Sequence, residues 1–439
     1  MKPPPSTSNA MLRRPLRVLL SAYACEPHKG SEPGVGWHWA QALVAAGHDV
    51  CVITRANNRP AIERALAGNP VGSLRFAYYD LPGWAAWWKR GGRCVHLYYV
   101  LWQWGAFCLA RALSRETRFD VAHHITFGVF RHPSFMALLD VPFVFGPVGG
   151  GERAPRRLRA SFPVTGYLTD LARDAANAVV RFDPLMTLVF RRSAAVLCKT
   201  HETLTRIPRR HRGKCRIQLE IGTDGTAPLP APRVRDAAGL RVLYVGRLLY
   251  WKGLHLGLHA FAQLLAFDPD ARLTVIGSGP NERWLRGISH DAGIDAAVTW
   301  VPWLERADVL RAYSRHDVLL FPSLHDSSGN AVLEALSCGL PVVCLDAGGP
   351  GVLVDPSCGF KVNPTSVEQV VSDLSRALTA LARDPALAEA MGRAAACRAR
   401  EEFSWARQAE RMGRLYGALC TAADRHDGAT ALAMSGEQH

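Results

Sequence analysis

Two cations follow the end of a short apolar run in the second half of the chain. The run Arg241–Val245 leads into Gly246 and Arg247, and Lys252 and Gly253 come directly after that turn. Ligands of open α/β sheets bind beyond the carboxyl ends of the strands. An arginine and a lysine at such an end suit a diphosphate, because they neutralise charge that develops on a leaving group. A solvated surface pair fits this spacing equally well, so other residues must decide.

A second apolar run ends at Phe321 and is followed by a polar loop and a helical pattern. Ser328, Gly329 and Asn330 stand where that helix begins. The first N–H groups of a helix have no partner within it, and the helix dipole favours negative charge there. The sequence therefore predicts a phosphate-binding helix terminus at these three residues.

Two carboxylates accompany this loop and helix. Asp326 lies in the loop, and Glu334 follows after seven intervening residues, more than a turn inside the helix. We expect Asp326 to accept hydrogen bonds from sugar hydroxyls and Glu334 to accept them from a ribose diol. An isolated glutamate on a helix is usually solvated, but the apolar neighbours of Glu334 argue against simple exposure.

Short β-branched runs alternate with longer helical patterns along the chain. This alternation predicts parallel sheets covered by helices, arranged as two doubly wound α/β domains that face a central cleft. The predicted strands are residues 18–22, 50–54, 119–122, 141–145, 241–245, 272–276, 317–321 and 340–345, and the predicted helices include 34–46, 254–266 and 329–337.

Proline and glycine divide the chain into the two predicted domains. Residues 222–239 contain several of both and read as a linker. We predict a disordered lead-in at 1–12, an acceptor-side domain at 13–221 and a donor-binding domain at 240–400. A crossover helix at 401–425 and a tail at 426–439 complete the predicted division.

Composition and charge exclude several classes of protein. The 439 residues are 48% hydrophobic and 21% charged, which excludes a disordered or collagen-like chain and suits two domains. Lysine and arginine number 52 against 38 aspartate and glutamate, so the net charge of +14 favours an anionic partner. The 11 cysteines include no CxxC pair, which argues against a disulfide framework or a zinc site and favours a reducing cytoplasm. The apolar run near residues 16–25 is short and interrupted by Arg17, so it reads as a strand rather than a secretion signal.

Residues 81–113 hold five of the 12 tryptophans together with several cations. Tryptophan prefers the level of lipid headgroups, and arginine and lysine attract anionic lipid. Either the segment is a membrane-surface patch, or its aromatic residues pack a helical hairpin into the core. A second basic concentration between residues 153 and 212 suits anionic lipid or acceptor phosphates. No nucleic-acid-binding motif accompanies these cations, so we predict no nucleic-acid partner.

The combined motifs resemble glycosyltransferase family 4, a group of retaining enzymes with the two-domain GT-B fold. The resemblance rests on the pair Asp326-x7-Glu334, the grip of Arg247 and Lys252, and the opening Gly30–Gly34, and it covers most of the chain beyond residue 15. It also includes the Ile276-Gly277-Ser278-Gly279-Pro280 strand end and the Pro341-Val342-Val343 strand.

The resemblance implies roles for the matching residues. Arg247, Lys252, Asp326 and Glu334 would form the catalytic site: the two cations bind the donor diphosphate, Asp326 contacts the transferred sugar and Glu334 holds the ribose. The residues implied in substrate binding are Gly34, Gly36, His124, Gly246, Ser328, Gly329 and Asn330.

Three positions depart from the family pattern. The first acid is commonly Glu, whereas Asp326 is one methylene shorter. The histidine of the first domain has two candidates, His123 and His124, which strand alternation sends to opposite faces. We prefer His124, with a packed or surface role as the open alternative. The strand after Thr299 continues without the glycine of many members.

Two further groups have a structural alternative. The glycine run 149–151 either lines the cleft or simply turns the chain. Asp268-Pro269-Asp270 reads as a turn, not as a metal motif. We therefore predict no metal site, and the resemblance implies neither a cofactor nor an essential metal.

The predicted activity is retaining transfer of a sugar from a UDP- or GDP-linked donor to a hydroxyl of a glycan or polyprenyl-linked acceptor. Bacterial exopolysaccharide or cell-surface polysaccharide synthesis, at the inner face of the cytoplasmic membrane, is the predicted setting. The basic, Trp-rich first domain makes an anionic membrane surface the predicted partner there. The alternatives are a non-catalytic sugar-nucleotide-binding subunit of an assembly complex and an epimerase or hydrolase on the same fold.

Overall fold

The computed structural model describes residues 14–68, 71–86, 95–225 and 239–435. The predicted lead-in at 1–12 and most of the predicted linker lie outside these ranges, as does the end of the predicted tail. Two parallel sheets organise the described residues, which confirms the predicted fold class of two α/β domains.

The first sheet has seven strands. They are β1 (Arg17–Ser21), β2 (Asp49–Arg55), β3 (Leu74–Tyr79), β4 (Val121–His124), β5 (Phe143–Val148), β6 (Ala195–Cys198) and β7 (Cys215–Ile217). Their order across the sheet is β3-β2-β1-β4-β5-β6-β7, and every pairing is parallel. The order reverses between β1 and β4, which is where ligands of doubly wound sheets bind.

The second sheet has six strands and repeats the same topology. They are β8 (Arg241–Val245), β9 (Arg272–Ile276), β10 (Val298–Val301), β11 (Val318–Phe321), β12 (Val342–Leu345) and β13 (Gly359–Val362). Their order is β10-β9-β8-β11-β12-β13, so the reversal falls between β8 and β11. Arg247 follows β8 and Asp326 follows β11, and both candidate motifs therefore flank the switch point.

Helices connect the strands and cover both faces of the sheets. In the first half they are α1 (Ser31–Ala45), α2 (Arg59–Ala67), α3 (Gly83–Ala86), α4 (Val95–Glu116), α5 (Val164–Val179), α6 (Pro184–Arg192) and α7 (His201–Arg206). In the second half they are α8 (Leu254–Leu265), α9 (Glu282–Asp291), α10 (Arg306–Arg315), α11 (Asn330–Ser337), α12 (Gly348–Leu353), α13 (Val367–Arg383), α14 (Pro385–Phe403) and α15 (Trp405–Ser435). Helix α1 begins three residues earlier than predicted, and Gly34 and Gly36 both lie inside it.

The hydrophobic cores of the two domains are joined. One cluster contains Trp39 of α1, Phe321 of β11 and Tyr416 of α15, all buried together. Residues 154–162 belong to the first half of the chain, yet Leu158 and Phe162 pack with the core of the second sheet. The two domains thus share apolar surface on both sides of the cleft.

The two chain crossings between the domains lie side by side. Thr223 N donates to Phe403 O at 2.9 Å, and Trp405 N donates to Thr223 O at 2.9 Å. Both crossings are therefore paired with each other at this one place. Helix α15 then continues onto the first domain, where Tyr416 is buried against His123.

The Trp-rich segment, residues 81–113, has both buried and exposed tryptophans. Trp102 is buried and its Nε1 donates to Tyr79 O at 2.8 Å, as core packing requires. Trp84 and Trp104 are exposed, whereas Trp87 and Trp88 lie outside the described residues. None of the described helices is long and apolar enough to cross a bilayer.

Tyr416→Phe tests the attachment of α15. The Tyr416 hydroxyl lies 2.5 Å from Nδ1 of the buried His123. Its removal leaves a buried polar atom unpaired, so we expect a loss of about 1–3 kcal/mol in the free energy of unfolding, measured with urea. Tyr167→Phe, on an exposed helix face, is the matched control and should change the free energy little. An equal effect of both substitutions would contradict this role of Tyr416.

Candidate active site

Lys252 and Asp326 meet where β8 and β11 end. Lys252 Nζ lies 2.5 Å from Asp326 Oδ2, and both side chains are largely buried. Gly253 has a φ of +70°, and a Cβ there would lie 1.9 Å from Pro322 O. Only glycine allows this approach of the two loops. The structure thus brings these two segments together, while their role as one site and their chemical roles stay predictions.

Asp326 also organises the start of α11. Its Oδ1 accepts hydrogen bonds from the N–H groups of Ser328 and Gly329, at 3.2 and 2.8 Å. Gly329 is the N-cap and has a φ of +80°, a conformation that favours glycine. Two of the three predicted phosphate donors are therefore engaged by Asp326. Its carboxylate oxygens retain lone pairs for a sugar hydroxyl.

Glu334 is held from two sides within the cleft. Tyr313 Oη donates to Glu334 Oε2 at 3.2 Å, and Arg306 Nη2 lies 3.7 Å from Oε1. Burial raises the pKa of Glu334, although Arg306 and Tyr313 act in the opposite direction. The prediction that Glu334 is not simply exposed to solvent is confirmed.

A cavity of about 450 Å³ lies between the domains beside Glu334. Its lining includes Gly34 of α1, Asn330 of α11 and Trp405 of α15. Arg247, Lys252 and Asp326 do not line this cavity. They follow β8 and β11 in the same cleft, so the predicted diphosphate and ribose subsites would be adjacent. The Arg247 guanidinium is exposed and, among the described residues, has no hydrogen-bond or ion-pair partner.

The remaining glycines of the predicted set act through close packing. A Cβ at Gly34 would lie 2.1 Å from Lys29 O, and one at Gly36 would lie 2.2 Å from Ala24 O. The backbone of Gly246 closely approaches Gly277, because a Cβ on Gly277 would lie 1.9 Å from Gly246 O. Gly34 and Gly36 thus pack α1 against the loop after β1, and Gly277 packs the loop after β9 against that after β8. Gly36 is buried outside the cavity lining.

The two candidate histidines lie on opposite faces of β4, as strand alternation predicts. His123 bonds Tyr416 and Gly146 O, whereas His124 Nε2 lies 3.1 Å from Tyr99 Oη. Burial lowers the pKa of His124 to about 3 and that of His123 to about 4, so both rings are neutral at pH 7. Neither ring lines the cavity beside Glu334, and the substrate contact of His124 stays a prediction.

Several carboxylates of the first domain reach the loops of the second, and sequence reasoning missed them. Glu220 Oε1 accepts from Ser328 Oγ and lies 2.6 Å from Nζ of the buried Lys199. Burial lowers the pKa of Lys199, but Glu220 and other carboxylates outweigh it and raise the pKa overall. Lys199 directly follows β6, so the strand-end rule that found Arg247 would have found it once β6 was recognised.

Asp170 makes a second contact of this kind. Its Oδ2 lies 2.9 Å from His325 Nε2, and its Oδ1 accepts from Tyr250 Oη at 3.3 Å. Burial raises the pKa of Asp170, but the His325 hydrogen bond and nearby cations outweigh it, so the pKa is lowered overall. Helix α5 of the first domain thus contacts the residue next to Asp326.

The glycine run after β5 lies in the cleft. A Cβ on Gly149 would come 2.8 Å from Ser327 Cβ and 3.0 Å from Lys199 Cδ. Of the two interpretations given for this run, the position against Ser327 favours the cleft. In the described ranges, no group of three or more His, Cys, Asp or Glu side chains is placed to hold a metal ion.

Residues 233–398 match the family of glycosyl transferases group 1. The matched region contains Arg247, Lys252, Asp326 and Glu334, and it spans nearly all of the second domain. Membership of family 4 and a retaining mechanism stay predictions, because the family description specifies neither.

Curated relatives match less than half of the chain. Glycogen synthase of Mycobacterium tuberculosis is 30% identical over 190 residues, which are 43% of this chain and 45% of that protein. D-inositol 3-phosphate glycosyltransferase of Pseudarthrobacter chlorophenolicus is 34% identical over 206 residues, covering 44% of this chain and 45% of that protein. The chain therefore spans slightly under half the length of these relatives. They support glycosyl transfer and leave the substrates open.

Solved structures share the fold of nearly the whole chain. Sucrose-phosphate synthase of Thermosynechococcus elongatus has a TM-score of 0.62 at 19% identity, over 93% of this chain and 100% of that one. HepE of Anabaena, in complex with UDP and glucose, has a TM-score of 0.56 at 17% identity, over 92% and 100%. The predicted GT-B fold is confirmed.

Glu334→Gln tests whether the buried carboxylate of Glu334 lowers the stability of the folded protein. A raised pKa in the folded state means that folding disfavours the ionised form, so Glu334 lowers stability at neutral and higher pH. We expect Glu334→Gln to raise the free energy of unfolding at pH 8. The gain should shrink as the pH falls through the folded pKa, and vanish below a pH of about 4, where the unfolded carboxyl is also protonated.

Glu410→Gln is the control of opposite sign. A hydrogen bond from Arg407 lowers the pKa of the exposed Glu410, so this substitution should not stabilise the protein at pH 8. Urea unfolding at several pH values measures both variants. A gain for Glu334→Gln that is independent of pH would refute burial of the charge as its cause.

Proposed function

We propose that the chain is a retaining glycosyltransferase that uses a nucleoside-diphosphate sugar. The observation that carries the proposal is the meeting of Lys252 with Asp326 at the switch point of the second sheet, beside Arg247 and the start of α11. The group 1 family match over this same region supports it. Lys252 and Arg247 would bind the diphosphate and stabilise it as it departs.

Glu334 would hold the ribose, and Asp326 would contact the sugar. Glu334 is placed beside the cavity with its Oε2 already bonded to Tyr313, which fixes the orientation of the carboxylate. An acceptor hydroxyl would then attack the sugar on the face from which the diphosphate leaves. Closure of the two domains over the bound donor would exclude water and limit hydrolysis of the donor.

The donor class is a UDP- or GDP-linked sugar. UDP and glucose are bound in the HepE structure, and a Corynebacterium glutamicum relative, 32% identical over 173 residues, is named for its dependence on GDP-mannose. The acceptor in our proposal is a hydroxyl of a glycan or polyprenyl-linked molecule in bacterial cell-surface polysaccharide synthesis. The chain would work from the cytoplasmic side, against the membrane that carries such an acceptor.

Donor binding is tested by thermal unfolding with a panel of UDP-, GDP-, ADP- and dTDP-sugars. A ligand at about 100 times its dissociation constant stabilises the folded state by about 2.7 kcal/mol. We expect one class of donor to raise the unfolding midpoint of the wild type. Arg247→Ala, which removes an exposed side chain, should weaken that donor about tenfold to a hundredfold, as expected for lost charged hydrogen bonds.

Arg376→Ala is the matched control, because Arg376 is an exposed arginine that pairs with Asp373 on α13. It should bind the donor as the wild type does. Stabilisation by the donor that persists in Arg247→Ala would contradict the assigned site, and the absence of any donor effect on the wild type would contradict the proposed function.

Sugar transfer is tested with the radiolabelled donor and a bacterial lipid extract. We expect label to enter the organic phase with the wild type and not with Lys252→Ala, since the leaving diphosphate loses its counter-charge. The anomeric proton coupling in the NMR spectrum of the product then reports the configuration. An inverted configuration would overturn the retaining mechanism, and label only in free sugar would favour a hydrolase.

A further inference from the structure

The exposed large apolar side chains of this protein are concentrated in one part of the first domain. Among the described residues, 14 such side chains are exposed, and all except Phe267, Trp303 and Leu310 lie between residues 84 and 185. Single exposed apolar residues are normal, whereas a contiguous patch marks an interaction surface. This concentration of exposed apolar side chains therefore indicates an interaction surface.

Helix α5 is inverted relative to a helix that covers a core. Val164, Tyr167, Leu168 and Leu171 are exposed, and their spacing of three and four places them on one face. The side of α5 that is buried carries Gly166, Asp170 and Asn177 instead of large apolar residues. A surface helix normally turns its apolar face inward. Here that face is turned outward.

The apolar face continues beyond the end of α5. Val179 is 62% exposed and Phe182 is 72% exposed, and Leu185 follows at the start of α6. The continuation covers the turn Val180–Phe182 that joins the two helices. The outward apolar surface thus extends from Val164 to Leu185.

Helix α4 of the same domain carries a second stripe of exposed apolar side chains. Leu97, Leu101 and Trp104 are exposed at helical spacing. The ring of Trp104 packs against that of Phe135 at 5.2 Å, and the short helix Phe135–Leu138 contacts both α4 and α6. This short helix therefore links α4 to α6, the helix that follows α5. We call the exposed large apolar side chains of α4, α5 and α6, together with Phe182 between α5 and α6, the apolar band.

Positive charges predominate around the apolar band, and Asp183, which lies within it, is engaged in capping α6. The Arg181 guanidinium lies 4.6 Å from the centre of the Phe182 ring, and Arg191 and Arg192 are exposed at the end of α6. The acids of α5 point away: Asp170 is buried, and Asp174 pairs with Arg153 and Arg159.

This charge distribution identifies the partner. Apolar side chains bordered by arginine match the headgroup and upper acyl region of a bilayer that contains anionic lipid. A second copy of the chain carries the same positive charge, which opposes self-association through this face. An anionic bilayer therefore fits the apolar band better than a second copy does.

We propose that the apolar band lies in the plane of an anionic bilayer, with α5 as its principal anchor. The proposal deepens the proposed function and rests on it only for its biological purpose, which is to meet a lipid-linked acceptor. The buried side of α5 contacts His325 and Tyr250, beside the loop of Asp326. The same helix thus connects the bilayer to the donor site.

The test is flotation of the full-length protein with two kinds of vesicle. One consists of phosphatidylcholine alone, and the other contains equal parts of phosphatidylcholine and phosphatidylglycerol. We expect the wild type to float with the anionic vesicles and to dissociate as salt is raised. The double substitution Leu168→Asp and Leu171→Asp should weaken binding about tenfold or more, because it removes apolar burial and adds repulsion from the anionic lipid.

Phe267→Asp is the matched control, because it places the same charge at an exposed apolar residue of the second domain. It should float as the wild type does. The proposal is overturned if the wild type stays with the soluble fraction, or if the double substitution floats normally. It is also overturned if the wild type self-associates without lipid and the double substitution does not, since a second copy then covers the band.

Donor-induced thermal stabilisation of the same variants, without lipid, separates the two proposals. The residues of the apolar band are exposed, so the double substitution should fold and keep the donor response of the wild type. A wild type that responds to donor and ignores vesicles refutes only the bilayer anchor. One that floats and binds no donor refutes only the glycosyltransferase assignment.

Discussion

Three carboxylates of the first domain accept hydrogen bonds from loops of the second, and the arrangement of the site depends on them. Asp170 accepts from His325 and Tyr250, Glu202 accepts from Gly348 N at 2.9 Å, and Glu220 accepts from Ser328. Hydrogen bonds to ionised groups are roughly twice as strong as neutral ones. These contacts hold the loops after β8, β11 and β12 against the first domain. They bring the strand ends of the two sheets into one cleft.

Two lysines near these contacts are held in ion pairs. Lys252 is paired with Asp326 and Lys199 with Glu220, so each of these two lysines meets a carboxylate across a distance of less than 3 Å. A diphosphate offers more negative charge than a single carboxylate and competes with Asp326 for Lys252. Donor binding would then free Asp326 to accept from sugar hydroxyls. The exposed Arg247 can join the diphosphate without breaking a contact within the described chain.

The sequence predicted the second domain better than the first. Strands β8 and β9 were predicted at their observed bounds because each is a short apolar run that ends in glycine. Strands β3, β6 and β7 of the first domain and β13 of the second were missed. Leu74–Tyr79 is rich in aromatic residues and only partly buried, and Cys215–Ile217 is three residues long. Lys199 and Glu220 were therefore missed with the strands that position them.

The outward orientation of the apolar face of α5 could not be predicted from the sequence, for a different reason. Val164, Leu168 and Leu171 have the spacing of a helix that covers a core, and periodicity alone predicts their burial. Only the fold shows that Asp170 and Gly166 face inward because the second domain supplies His325 and Tyr250 there. Contacts between residues far apart in the chain decided this orientation, and a single sequence does not reveal them.

The most direct test of the account is a crystal structure with the nucleoside diphosphate of the preferred donor class. The account predicts diphosphate oxygens within hydrogen-bond distance of Arg247 and Lys252, and ribose hydroxyls on Glu334. A nucleotide bound elsewhere, for example in the cavity that Arg14, His48 and Arg414 line under α15, would contradict it.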